Sequence, residues 1–167
     1  MSGFGWSSTT DEVLAGKDLS GRTVFITGAN SGLGQETARA MASRGGHVIL
    51  AGRDQAKLDE TAAAIRATVP KAQLDTITID LTSLENIRAA TSRARQRFQK
   101  IDLLINNAGV MATPFLHTHD GFEMQFGTNH LGHFAMTAEL MPLIERGHLK
   151  RIVNLSSRGH FMGPVRF

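Results

Sequence analysis

The residues Thr27-Gly28-Ala29-Asn30-Ser31-Gly32-Leu33-Gly34 join a short apolar run, Thr23-Val24-Phe25-Ile26, to the helix-forming stretch Gln35-Glu36-Thr37-Ala38-Arg39-Ala40-Met41-Ala42. Three glycines at a strand-to-helix junction have the chemistry of a phosphate cradle. Gly28 allows a tight bend, Gly32 lets the backbone approach a phosphate with no side chain between, and Gly34 lets helix and strand pack closely. The free N–H groups at the helix start then face negative charge, with Asn30, Ser31 and Leu33 filling the loop. The spacing is G-x-x-x-G-x-G rather than the G-x-G-x-x-G of the general dinucleotide fingerprint. Glycines also punctuate ordinary turns, so the loop is weighed with what surrounds it.

The surrounding elements alternate. Thr9 to Glu12 reads as a capping box opening a short helix that ends near Gly16, followed by a polar turn from Lys17 to Gly21. Strand 22–27 then leads to helix 33–44, closed by Gly45 and Gly46. Strand 47–51 leads to helix 54–68, where Leu58, Ala62 and Ile65 share one face. Strand 73–79, helix 83–98, strand 101–105, a loop over 106–118, an uninterrupted helix over 120–146 and strand 150–155 complete the series. This alternation predicts an α/β fold with right-handed crossovers and a parallel sheet. Residues 1–20 are read as an N-terminal segment and 21–167 as one nucleotide-binding domain. In open parallel sheets ligands sit beyond the carboxyl ends of the strands. Gly28, Arg53, Asp80, Asn106 to Gly109 and Ser157 each follow one of the five predicted strands. Asp80 or Thr82 is also expected to open the next helix.

Composition narrows the function classes. The 41% apolar and 20% charged content is that of a globular chain rather than a disordered one. No apolar run reaches the ~20 residues of a membrane helix, and residues 1–10 lack the basic start and apolar stretch of a secretory signal. A cytoplasmic location and no membrane partner are therefore expected. The absence of cysteine excludes disulfides, thiolate metal sites and a cysteine nucleophile. Arg88, Arg93, Arg95, Arg97 and Lys100 cluster on one predicted helix, but no aromatic residues interleave them, which favours a solvated face over nucleic-acid binding. His117, His119, His130, His133, His148 and His160 crowd the second half. They match no zinc motif and are read as surface or packing residues, with no metal site.

Taken in order, the glycine loop, Asp80-Leu81, Asn106-Asn107-Ala108-Gly109, Asn129 and Ser156-Ser157 resemble the short-chain dehydrogenase/reductase family. The wording of the glycine loop, of Asn129-His130-Leu131-Gly132-His133-Phe134 and of Ile152-Val153-Asn154-Leu155-Ser156-Ser157 is similar to its retinol-dehydrogenase-like branch. The resemblance implies a Rossmann-type doubly wound parallel sheet of five strands in the order 3-2-1-4-5. It implies that Gly28, Asn30, Ser31, Gly32, Leu33, Gly34, Arg53, Asp80, Leu81, Asn107, Ala108 and Gly109 border a nicotinamide cofactor. It also implies that Ser157 polarises the oxygen of an alcohol or carbonyl substrate and that Asn129 holds a water in a proton relay. NADP is expected over NAD: where an acidic residue would hold a ribose 2′-hydroxyl, the chain reads Ala51-Gly52-Arg53-Asp54, and Arg53 suits a phosphate. Arg53 paired only with Asp54 or solvent is the competing reading.

The family also places a Tyr-x-x-x-Lys pair after the serine strand, whereas this sequence has no tyrosine and ends ten residues beyond Ser157. The chain is thus expected to be the cofactor-binding part of an oxidoreductase, inactive alone. A noncatalytic NADP(H)-binding module and an interaction subunit remain alternatives. Strand 150–155, with Ile152, Val153 and Leu155, is expected to be an exposed edge that favours self-association or a homo-oligomer. The long helix carrying Met136, Leu140, Leu143 and Ile144 is expected to lack a neighbour.

Overall fold

A computed structural model describes residues 3–157 together with Gly159, Phe161 and Gly163. His160 lies outside the described residues. Five parallel strands form one sheet: β1 (Thr23–Thr27), β2 (His47–Gly52), β3 (Gln73–Thr78), β4 (Leu103–Asn106) and β5 (Arg151–Asn154), in the order β3-β2-β1-β4-β5. Strand β1 is central and buried throughout, which is why its sequence is a near-continuous apolar run. Phe25 stands opposite Ile49 on one side and Leu104 on the other.

The alternation of side chains along β1 and β2 divides the core between two faces. Val24, Ile26, Val48 and Leu50 pack beneath α2 (Gly32–Ser43) and α3 (Gln55–Thr68) with Ala38, Leu58 and Ile65. Phe25, Ile49 and Ala51 pack on the other face with Ile87 and Ala94 of α4 (Leu84–Arg97), and with a later helix carrying Met136, Leu140, Leu143 and Ile144. These last four are buried in the core, so the expectation that they face a missing neighbour is corrected. The open face of that helical region instead carries Phe126 and Phe134, 54% and 70% exposed.

Local sequence sets the boundaries. A short α1 (Thr10–Val13) opens on the expected capping box of Thr9 and Glu12. It is tied to α2 because Glu36 accepts from Thr10 Oγ1, while Arg39 pairs with Glu36 at 2.7 Å and Asp11 at 2.9 Å. The hydrogen bonds from Arg39 and Thr10 hold the Glu36 carboxyl down at about 2. Helix α4 is capped by Ser83, whose hydroxyl accepts from the Asn86 N–H, and not by Asp80 or Thr82. Asp80 uses its carboxylate to hold Thr82 N and Oγ1, at 2.9 and 2.8 Å, which fixes the turn before the helix.

The uninterrupted helix expected over 120–146 is corrected. Residues 117–123 close a small turn through a bridge between His117 and Glu123. Helix α5 (Met124–Phe126) follows, then a π-helical stretch Gly127–Gly132, then α6 (His133–Glu145). Gly132 lets this stretch pass close to the turn after β3, since a Cβ there would lie 2.4 Å from the Leu81 carbonyl oxygen. The basic cluster has structural duties: Arg95 pairs with Glu139 at 2.7 Å, Arg97 with Asp75 at 2.9 Å, and Arg93 donates to the Thr78 carbonyl. Among the described residues strand β5 pairs only with β4, and Ile152 and Val153 are 37% and 42% exposed.

At the amino ends of the strands, the fully buried Asp102 carboxylate accepts from Thr23 N at 2.8 Å and His148 N at 2.6 Å, with Lys100 Nζ at 3.2 Å. Burial opposes ionisation, but these backbone donors and Lys100 outweigh it and hold the carboxyl below its ordinary value. Asp102→Ala strands two backbone donors and is expected to lower unfolding stability by on the order of 3 kcal/mol, read by urea denaturation.

Candidate functional site

Two hollows open at the carboxyl ends of the strands. The first, about 460 Å³, is lined by all twelve residues expected at the cofactor: Gly28, Asn30, Ser31, Gly32, Leu33, Gly34, Arg53, Asp80, Leu81, Asn107, Ala108 and Gly109. The second, about 880 Å³, is lined by both residues expected to act on substrate, Asn129 and Ser157. The two meet at the loop Asn107 to Val110 and at Leu155, which line both.

The glycine loop is shaped by lack of space. Gly28 has φ +64°, and a Cβ there would lie 2.9 Å from Ala108 Cα. A Cβ at Gly34 would lie 2.2 Å from the Gly28 carbonyl oxygen and 2.6 Å from Asn107 Nδ2. Gly32, at φ +52°, faces open space, so the loop has a bare backbone where it borders the hollow. Helices α1, α3, α4 and α5 each receive a side-chain cap, from Thr9, Asp54, Ser83 and Glu123. Ser31 gives α2 none, which leaves the positive end of that helix open to the hollow.

The cap of α3 orients the acidic residue at the rim. Asp54 Oδ1 accepts from Lys57 N at 3.2 Å. Arg53 is exposed and makes no ion pair or hydrogen bond among the described residues, so of the competing reading the pairing with Asp54 is not seen, while an Arg53 that faces solvent is.

Around the second hollow, the Asn129 amide makes two hydrogen bonds with the backbone of one residue: Oδ1 accepts from Val110 N and Nδ2 donates to Val110 O, both at 2.8 Å. Ser157 lies three residues beyond β5, and its hydroxyl accepts from Gly159 N at 3.1 Å. His130 stacks on Phe126 with ring centroids 5.2 Å apart, while His133 turns inward, so the pair does not converge. No group of three metal-ligating side chains occurs among the described residues.

Two residues absent from the sequence-derived site join its parts. Thr27 Oγ1 accepts from the N–H groups of Asn107 and Ala108, each at 3.0 Å, and lies 2.9 Å from His133 Nε2. Nδ1 of the buried His133 lies 3.0 Å from the Asn129 carbonyl oxygen. Burial lowers the His133 pKa, partly offset by that carbonyl. The available signal was the i, i+4 spacing of Asn129 and His133, which stacks the ring one turn beyond the asparagine.

The sequence profile of the short chain dehydrogenase family matches residues 22–167. The chain belongs to this family. Human retinol dehydrogenase 13 is 44% identical over 149 residues, covering 89% of this chain and 45% of that protein. Mouse retinol dehydrogenase 12 is 45% identical over 149 residues, covering 89% of this chain and 47% of the relative. The chain thus spans about half the length of the curated relatives it matches. Among solved structures, a protein from Mycobacterium paratuberculosis is 43% identical with a TM-score of 0.75, over 89% of this chain and 51% of that one. A short chain dehydrogenase from Escherichia coli CFT073 complexed with NADPH is 26% identical with a TM-score of 0.66, over 78% of this chain and 56% of that one. Within the short chain dehydrogenases, the chain stands with the retinol-dehydrogenase-like branch. The family binds NAD or NADP, and no helix among the described residues is long and apolar enough to cross a membrane.

The crowding at Gly34 predicts that Gly34→Ala costs roughly 1–3 kcal/mol of stability, because a backbone carbonyl must move. This is measured as a lower denaturation midpoint, with Gly32→Ala the comparison where only backbone strain opposes the change. His133 binds fewer protons folded than unfolded below pH ~6.5, so its contribution to stability is present above that pH and is lost as pH falls. Thermal melting from pH 7.5 to 5 is expected to fall less steeply in His133→Gln than in the parent chain.

Proposed function

We propose that this chain is the cofactor-binding part of an NADP-dependent oxidoreductase of the short chain dehydrogenase type, acting on an alcohol or its carbonyl counterpart. The observation that carries this reading is the first hollow, where a bare glycine backbone, the uncapped start of α2 and an unpaired Arg53 face one space. A dinucleotide bearing a 2′-phosphate fits that donor set. The helix start and the backbone N–H groups suit a pyrophosphate, and the Arg53 guanidinium suits a phosphate rather than a neutral ribose hydroxyl. Asp80 and Leu81 border the far side, and Asn107 to Gly109 the side nearest the second hollow. When bound, the nicotinamide supplies hydride transfer, and this chain's residues bind and orient it.

The second hollow suits a small molecule with one polar end. Ser157 supplies a hydroxyl for the substrate oxygen, while Met111, Phe134 and Ile152 offer apolar wall. The names of the curated relatives make a retinoid alcohol one member of the substrate class. A relay water at Asn129 would use the remaining capacity of the amide held by Val110, or the second lone pair of the main-chain carbonyl beside His133. The family's Tyr-x-x-x-Lys pair has no counterpart in these 167 residues, and turnover by this chain alone is not expected. A noncatalytic NADP(H)-binding module is the second reading, since the first hollow with Arg53 at its rim would serve binding without turnover.

Fluorescence titration with NADPH and NADH in parallel tests the cofactor. NADPH is expected to bind more tightly, and Arg53→Asp to weaken NADPH by roughly ten- to a hundredfold while leaving NADH nearly unchanged. Equal binding of both cofactors, unmoved by the substitution, argues against NADP. Addition of a polypeptide supplying Tyr-x-x-x-Lys separates the two readings, since only the oxidoreductase part then turns over an alcohol.

A further inference from the structure

We propose that His133 is a positioning residue that fixes the loop between the two hollows through Thr27 and the Asn129 carbonyl through its own ring. The proposal rests on the functional reading above for its effect on cofactor binding, but its geometry stands apart from it.

The proton arrangement follows from the partners. A carbonyl oxygen only accepts, so Nδ1, 3.0 Å from the Asn129 oxygen, carries a hydrogen. The ring is 6% exposed and its hydrogen-bond partners are uncharged, which keeps it neutral and makes Nε2 an acceptor. The Thr27 hydroxyl therefore donates to Nε2 at 2.9 Å, in preference to the Ile105 carbonyl at 3.4 Å. A hydroxyl has one proton and two lone pairs. With its proton committed to His133, both lone pairs of Thr27 are turned toward the N–H groups of Asn107 and Ala108. Thr27 is then saturated, in a single rotamer, and the loop it holds is the wall shared by the two hollows.

The π-helical stretch makes the second half possible. The backbone N–H of His133 goes to the His130 carbonyl, leaving the Asn129 carbonyl to accept from the ring. The Asn129 side chain in turn holds Val110, three residues beyond Asn107. One imidazole thus joins the end of β1, the loop after β4 and the start of α6.

The test uses the unliganded chain first. Nitrogen NMR of the imidazole at neutral pH is expected to show His133 protonated on Nδ1 and bare on Nε2. Amide hydrogen exchange in His133→Leu is expected to speed up roughly tenfold or more at Asn107 and Ala108, with Val24, Phe25 and Ile26 unchanged. His133→Gln, whose side-chain oxygen can accept from Thr27, should restore most of the protection. Thr27→Val, which removes the acceptor of Asn107 and Ala108 itself, should speed exchange there at least as much as His133→Leu, and adding His133→Leu to it should change nothing further at those two amides. NADPH affinity is expected to fall roughly tenfold in His133→Leu and to recover in His133→Gln. A proton on Nε2, or unchanged exchange at Asn107 and Ala108 in His133→Leu, overturns the proposal. Should His133→Leu not fold, the tautomer and the Gln variant decide. If the parent chain binds neither cofactor, the functional reading fails while the exchange data still judge the clamp.

Discussion

The backbone of Gly28 passes so close to Ala108, and that of Gly34 so close to the Gly28 carbonyl, that no side chain fits between them. This crowding is the constraint on which the rest of the site depends. It presses the end of β1, the first turn of α2 and the loop after β4 into one block, and α2 emerges with its uncapped start aimed across the rim. The sheet order then supplies the remaining walls. With β1 central, the segments after β2 and β3 lie to one side and those after β4 and β5 to the other, so one loop divides two spaces.

The central strand is secured at both ends by buried polar groups rather than by apolar packing alone. At its start, the Asp102 carboxylate spans Thr23 and His148; at its finish, Thr27 spans Asn107 and Ala108. A buried polar group stabilises only when its hydrogen-bonding capacity is met. Both anchors meet that condition, one with an ionised carboxylate and one with a neutral hydroxyl and ring. Between them the apolar residues of β1 alternate into two separate cores. Register and depth of β1 against β4 are therefore set by directional bonds, and volume is filled by contacts that tolerate more variation.

Much of this was legible in the sequence because it is written in local patterns. The apolar run at 23–27 and the glycine after Arg44 mark a buried parallel strand and a helix end without reference to anything distant. The strand order and the roles of the rim residues came from resemblance, because neither is a property of any one segment. The misreadings have two causes: competition among neighbouring residues for one cap, and partners that lie far along the chain. Ser83 displaced Asp80 as the cap because Asp80 was needed by Thr82. The helix over 120–146 looked continuous because neither the turn at 117–123 nor the π-helical stretch breaks its apolar pattern, and the close approach of Gly132 to Leu81 crosses more than fifty residues of sequence. His133 is buried, as a packing histidine would be, but its contact with Thr27, a strand residue whose hydroxyl is invisible to periodicity, could not be read from the sequence.

The π-helical stretch at 127–132 contains one residue more than an α-helix would place in the same turns. Each residue of an α-helix turns its neighbours by about 100°. Loss of a single residue from this stretch would therefore rotate Asn129 relative to His133 by more than a quarter turn, parting the amide from Val110 or the ring from Thr27. Substitution within the stretch changes one contact, whereas deletion changes the phase of everything beyond it. Chain length between Phe126 and His133 is itself an element of the site.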